Sequence, residues 1–222
     1  MTSHSESVRI QSERMLVQSL VNESVPAFLG NAYRLHLEIA VGRSVADIVA
    51  VSAGRTSAML RPLTITQSVA LSHLRQRFST RVDVLEKLCG EERYSFRLGA
   101  LDPLYEMGLI RRGKGGSVSI ASKSAASQMV VAFEAKMHRW TTALQQAASY
   151  TKFADLVYVV LPSEAAQIAI RHADKFFAHR VGLLVENRGV LHEAVGPSRI
   201  RQHSWQRDFV LSRLLSASAA PK

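Results

Sequence analysis

With 222 residues, 47% of them hydrophobic and 21% charged, the chain has room for one large or two small domains and is too apolar to be disordered. No apolar run approaches the ~20 residues of a membrane span, the N-terminus lacks the apolar stretch of a signal peptide, and the single cysteine, Cys89, excludes an internal disulfide. These features predict a cytoplasmic protein with no membrane partner, and the net charge of +10 favours a polyanionic one, nucleic acid first.

Residues 6 to 22 carry Val8, Ile10, Met15, Leu16 and Leu20 at helical spacing, and Pro26 and Gly30 close that element. Ser12 and Met15 do not make a capping box, so the pattern gives no start for the helix. In YRLHLEIAVG, residues 33 to 42, Leu35, Leu37, Ile39 and Val41 alternate with Arg34, His36, Glu38 and Ala40, which is strand periodicity. Gly42, Arg43 and Ser44 make a turn, and VADIVAVS, residues 45 to 52, returns as a second strand with Asp47 among apolar neighbours.

From Ser57 to Lys123 the pattern is helical with a terminal hairpin. Thr66 precedes a helix, VALSHLRQRF; Val82 to Leu88 is a second; Leu98 to Met107 contains a third, interrupted or started near Pro103 and stopped by Gly108. GLIRRGKGGSVSIAS then reads as strand, basic glycine-rich turn, strand. Three short helices followed by a β-hairpin describe a winged helix, a variant of helix-turn-helix. Between Arg55 and Lys123, twelve basic residues face six acidic ones, a surplus of six out of the whole chain's ten. Charge concentrated in this way suits contact with a nucleic-acid backbone, with Arg111, Arg112 and Lys114 at the wing tip as the sharpest candidates. Cys89 sits in an apolar helical pattern and reads as an inert core thiol.

Val130 to Pro162 reads as strand, helix, strand. Val130, Val131, Ala132 and Phe133 suit a buried strand, and Glu134 and Lys136, two apart, share a face at its end with Ala135 turned away. Trp140, Leu144, Ala147 and Ala148 form a helical stripe; Gln146 and Tyr150, four apart, share another face. LVYVVL, residues 156 to 161, is a strand ended by Pro162. An amphipathic helix capped by Ser163 follows, then VGLLVEN and GVLHEAV as strands around a turn, and a terminal helix from Ser204 to Leu215.

Asp47 on a hairpin strand, Phe133-Glu134-Ala135-Lys136 at the end of the next core strand, and Gln146-Ala147-Ala148-Ser149-Tyr150 on the following helix resemble the PD-(D/E)XK nuclease superfamily. The last element is similar to the Q-x-x-x-Y of its RecB-type exonuclease branch. Alanine, not proline, precedes Asp47, and the long separation of Asp47 from Glu134 departs from the ordinary spacing. An inserted module at a loop tip accounts for that gap. The resemblance implies an α/β fold, a restriction endonuclease-like mixed sheet flanked by helices. Residues 1–56 and 124–222 would form the core, and 57–123 an inserted winged helix-turn-helix module.

It further implies a metal-dependent DNA nuclease, an endonuclease first. Asp47, Glu134, the Ala135 carbonyl and Glu38 would be ligands of Mg²⁺, or of Mn²⁺ in its place. Lys136 would position the attacking water or stabilise the developing oxyanion, Gln146 and Tyr150 would orient Lys136 or a phosphate, and a homodimer is the assembly such enzymes suggest. The alternative is a non-catalytic DNA-binding regulator on a degenerate nuclease scaffold. Each piece alone has an ordinary explanation: E-x-K as a surface pair, Asp47 as a strand-end residue, Gln146 and Tyr150 as helix surface. Their joint order favours the nuclease. Glu13 is a further acid, read as a solvated helix face; Trp140 reads as core, and the histidines lack metal-ligand spacing.

Overall fold

The computed structural model describes residues 12–42, 44–53, 61–121, 128–200 and 204–217. Val8, Ile10, Arg43, Arg55, Lys123 and the expected module boundaries at 57 and 123 lie outside the described residues. Two compact units emerge: Met1–Ser52 with Val130–Ile200, and Ala53–Met129 with Arg201–Lys222. Among the described residues no helix is long and apolar enough to cross a membrane.

The first unit begins with α1 (Glu13–Ser19), a π turn (Leu20–Ser24) and α2 (Val25–Leu29) in one continuous helical run. Ser12 starts it, its Oγ accepting from the Met15 N–H at 3.2 Å, so the start is a single N-cap contact and not a capping box. Pro26 does not end the helix. It stands in the first turn of α2, where its missing N–H costs little, and Gly30 at φ +77° ends the run. β1 (Tyr33–Val41) and β2 (Ser44–Ser52) form the expected antiparallel hairpin, Tyr33 pairing with Ser52 and Val41 with Ser44.

The second unit opens with α3 (Ile65–Arg77). It starts earlier than the pattern after Thr66 suggested: Thr64 is its N-cap and makes a reciprocal capping box with Gln67, whose amide donates onward to the Gly99 carbonyl at 2.8 Å. β3 (Ser79–Arg81) precedes α4 (Val82–Cys89). Next comes a longer helical run than the sequence suggested: α5 (Arg93–Phe96), a π turn (Arg97–Leu101) and α6 (Asp102–Glu106), with Pro103 in the first turn of the last piece. β4 (Ile110–Arg112), a glycine turn and β5 (Ser117–Ile120) follow. The three strands pair in the order β3-β5-β4, all antiparallel. The expected hairpin of β4 and β5 is therefore joined by a third strand whose three residues were too few to carry a readable alternation.

Back in the first unit come β6 (Val130–Ala135), α7 (Trp140–Tyr150) and β7 (Leu156–Pro162). Then follow α8 (Ser163–Ile170), α9 (Ala173–His179), β8 (Gly182–Asn187) and β9 (Val190–Val195). The single amphipathic helix expected after Pro162 is two, broken at Arg171 and His172, and Ser163 makes no capping bond because Pro162 occupies the cap position. The sheet order is β1-β2-β6-β7-β8-β9, with β6, β7 and β8 parallel and the outer pairs antiparallel. Every residue of β6 is buried, which is why it reads as a continuous apolar run. Helices flank both faces: Tyr150 of α7 reaches Glu134, while Phe28 of α2 meets Tyr158 edge-on beside Phe133, the neighbour of Glu134 on the opposite face. Gly182 is required at the start of β8, since a Cβ there would lie 2.6 Å from the Tyr158 ring.

The last helix, α10 (Trp205–Ala217), corrects the domain assignment: it belongs to the second unit, not to the core. It packs on α3, and its Ser212 Oγ accepts the Leu63 N–H at 2.9 Å. Between the two helices Arg75 and Asp208 form an ion pair at 3.3 Å, with side chains 5% and 4% exposed. Burial pushes the Asp208 carboxyl up to about 6, against the pull of Arg75 and Arg207. Removing one member of a buried pair strands the other, a loss of about 3–5 kcal/mol, whereas an apolar pair of similar volume is close to neutral. Asp208→Leu is therefore expected to shift the urea midpoint steeply down, and Arg75→Leu/Asp208→Leu to recover most of it. A double variant as damaged as the single one would show that the pair is not the linchpin of this packing.

Candidate active site

The sheet register builds the site. Ile48 pairs with Phe133, so one step along sets Asp47 across from Glu134; Leu37 pairs with Ile48, so the same step sets Glu38 across from Asp47. Three acids thus line one face of three neighbouring strands. Glu38 is exposed and holds a left-handed backbone, φ +52°, inside a strand. For a residue with a Cβ such a conformation costs on the order of 1–3 kcal/mol, and it collects at functional sites.

Asp47 Oδ2 accepts the Ala135 N–H at 2.8 Å, which ties the hairpin to the end of β6. Glu134 is 1% exposed, although it carries a carboxylate. Both its oxygens are engaged: Tyr150 Oη donates to Oε2 at 2.5 Å, and Lys136 Nζ lies 3.0 Å from Oε1. Lys136 is fixed by its own N–H to the Val160 carbonyl, 3.1 Å, just past the strand end. Its ammonium also reaches Glu13 Oε2 at 3.3 Å. Glu13, read from sequence as a solvated helix face, therefore joins the cluster. Nothing in α1's pattern distinguished it, because the contact comes from how α1 meets β6 in three dimensions.

Burial raises the Asp47 carboxyl above the ordinary range, with the charges of Glu13 and Glu38 adding and the Ala135 N–H and Lys136 opposing. Burial raises Glu134 too, reinforced by Asp47 and opposed by Tyr150 and Lys136. For Lys136 burial pulls the pKa down, but Glu134, Asp47 and Glu13 together outweigh it, so the ammonium is held above its usual value. Burial and then Glu134 push the Tyr150 phenol well up, which keeps it a hydrogen donor.

Of the two helix residues expected here, only Tyr150 arrives. Its hydroxyl also lies 2.6 Å from the Val45 carbonyl, while Gln146 is exposed and its side chain makes no hydrogen bond to the cluster among the described residues. Trp140 is half-buried, not core. Among the described residues no three His, Cys, Asp or Glu side chains make a metal-binding group. The donor set nonetheless suits a hard divalent cation: Asp47 and Glu134 offer carboxylate oxygens whose ionised forms burial disfavours and a cation would favour. A cleft of about 720 Å³ opens at the C-terminal ends of parallel β6, β7 and β8, lined by Met15, His138, Pro162, Glu186 and Arg188 among others. That end of a parallel sheet is where ligands bind.

Tyr150→Phe leaves the Glu134 carboxylate short of a donor in a buried place and should lower stability by about 1–3 kcal/mol near neutral pH. The bond favours ionised Glu134, so its contribution is present above the Glu134 pKa and fades as pH falls through it. Urea denaturation of both proteins at pH 8 and pH 4 checks this; an equal loss at both would break the link to Glu134.

In the second unit Arg111, Arg112 and Lys114 are exposed at the hairpin, as expected. Arg112 lies over the Tyr105 ring at 5.0 Å and 3.9 Å from Asp102. The sequence reading passed over the residues that share a cleft of about 780 Å³ with it, Arg81, Arg93, Arg97 and Tyr105. The spacing of Arg93 and Arg97, four apart on one helical face, was the available signal. Cys89 is half-buried, its thiol pushed up to about 11 by burial and then by Glu91, which keeps it unreactive. No family model, no curated protein and no solved structure matches this chain.

Proposed function

We propose that the protein is a Mg²⁺-dependent DNA nuclease: a restriction endonuclease-like core that hydrolyses phosphodiester bonds, with a winged helix inserted between its second and third core strands to grip duplex DNA. The observation that carries this reading is the meeting of Asp47, Glu134 and Lys136 in one cluster across the whole inserted unit. Asp47 and Glu134, with the Ala135 carbonyl and Glu38 beside them, would hold the cation, which supplies Lewis acidity and charge neutralisation at the phosphate.

The chain's own residues do the rest. The Lys136 ammonium, kept protonated by three carboxylates, faces the charge that builds on the phosphate in the transition state. Tyr150 and the Ala135 N–H hold the two carboxylates in place before substrate arrives. A buried glutamate held by two donors is expensive to maintain, which favours a working site over a degenerate scaffold. The order helix, strand, helix, helix, strand, wing, strand in the second unit, with strands ordered β3-β5-β4, supports the winged-helix reading. Incubation with supercoiled plasmid, linear duplex and single-stranded DNA, each with Mg²⁺ or EDTA, tests the proposal. Nicking or linearisation only with Mg²⁺ is expected; intact DNA in every lane at micromolar protein would overturn it.

A further inference from the structure

Four residues beyond Lys136, the first residue of α7 begins a second feature that the carboxylate cluster does not use. Trp140 stacks on His172 with ring centroids 5.1 Å apart and planes 15° apart, and on Phe176 at 6.0 Å and 26°. Lys175 Nζ lies 5.5 Å from the Trp140 ring centroid. Phe176 is fully buried while Trp140 and His172 are half-buried, so the stack runs from core to surface. Arg139 and Arg171, each next in sequence to a ring of the stack, are exposed, as is Lys175. Among the described residues none of these three cations lies within 4.0 Å of a carboxylate. A structural stack alone would need only the rings. Half-buried rings with cations that have no carboxylate of a described residue within 4.0 Å are what a nucleotide requires: a π-face for the base and positive charge for its phosphates.

We infer that Trp140, His172 and Lys175, flanked by Arg139 and Arg171, form a stacking site for an unpaired nucleotide of a DNA strand. The site goes beyond the nuclease reading, since it needs no cleavage. It also gives the core unit its own hold on a strand end or an opened duplex, separate from the basic hairpin. Duplex DNA supplies phosphates without a free base face, so the site selects unpaired over paired strands.

Trp140 and Trp205 are the chain's two tryptophans, so Trp205→Phe in the full-length protein leaves Trp140 as the sole indole reporter. Without metal, this variant is titrated with a dT oligonucleotide, the same sequence in duplex form, and inorganic polyphosphate. Saturable quenching of Trp140 by the unpaired strand is expected, with little by the duplex and little by polyphosphate. Exposed Arg139→Ala/Arg171→Ala/Lys175→Ala should weaken that binding roughly 10-fold or more and reduce the salt slope by about 2, at ~0.7 per single-strand phosphate contact. Equal quenching by polyphosphate would reduce the site to a general anion patch and overturn the inference, as would quenching by none of the three. A protein that fails to cut plasmid yet shows the expected quenching retains this site while losing the nuclease assignment; the reverse result does the opposite.

Discussion

Glu134→Ala is expected to abolish Mg²⁺-dependent plasmid cleavage while DNA affinity in EDTA holds or improves. On the proposed reading the substitution removes a cation ligand and also one negative charge from a surface that would approach phosphate. Because Glu134 is buried and holds both Lys136 and Tyr150, Glu134→Gln serves as the companion that keeps the volume and one acceptor. It should fold well and cut no better than the alanine variant. Lys136→Ala should also stop cleavage but leave Mg²⁺ binding in place, since an ammonium is no ligand for a hard cation. This pairing separates a reaction centre from a structural ion pair: in the latter, both changes would lower stability and leave cutting intact. The measurements are plasmid cleavage, electrophoretic mobility shift and Mg²⁺ titration calorimetry. Wild-type cutting by both Glu134→Gln and Lys136→Ala would remove this strand end from the mechanism.

The second large effect concerns duplex binding. Arg111→Ala/Arg112→Ala/Lys114→Ala should weaken affinity for duplex DNA by one or more orders of magnitude at low salt and flatten its salt dependence. Each lost phosphate contact removes about 0.9 from the slope of log affinity against log salt, so three lower it by about 2–3. The geometry refines the expectation. Arg112 already leans on Tyr105 and Asp102, whereas Arg111 points to the other face of its strand, so the two will not contribute equally. Adding Arg93→Ala and Arg97→Ala should deepen the loss, because both line the cleft that Arg112 borders. A slope unchanged by the triple substitution would show that the hairpin stays clear of the DNA backbone.

Much of the frame was legible because its signals are local. Alternation in 33–41 and the continuous apolar run from Val130 state strand and burial directly, and the E-x-K pair fixes two side chains on one face. The pairing of Asp47 with Glu134 was legible only through the resemblance, since no periodicity reaches across an inserted unit. What escaped depends on tertiary packing. Glu13 and Lys136 meet because α1 crosses β6; the left-handed Glu38 has no marker in an alternating strand; and Gln146, placed by analogy beside Tyr150, rotates into solvent although it is one turn away. Proline gave mixed guidance: Pro26 read as closing its helix but stands in the first turn of α2 after a π turn, whereas Pro103 read as interrupting or starting a helix and stands in the first turn of α6.

The partnership of Arg75 with Asp208 has a consequence for synthesis. At about 5–20 residues per second, Arg75 leaves the ribosome on the order of ten seconds before Asp208 does. Until Asp208 emerges, the groove on α3 that takes α10 is open and its guanidinium must stay hydrated, even after the strands and helices up to Ile120 have been made. Maturation of this unit is therefore post-translational in character even though most of it is made early. A chain interrupted before residue 205 advertises its incompleteness through an uncovered helix face and a misplaced cation, the kind of surface that chaperones and degradative proteases survey.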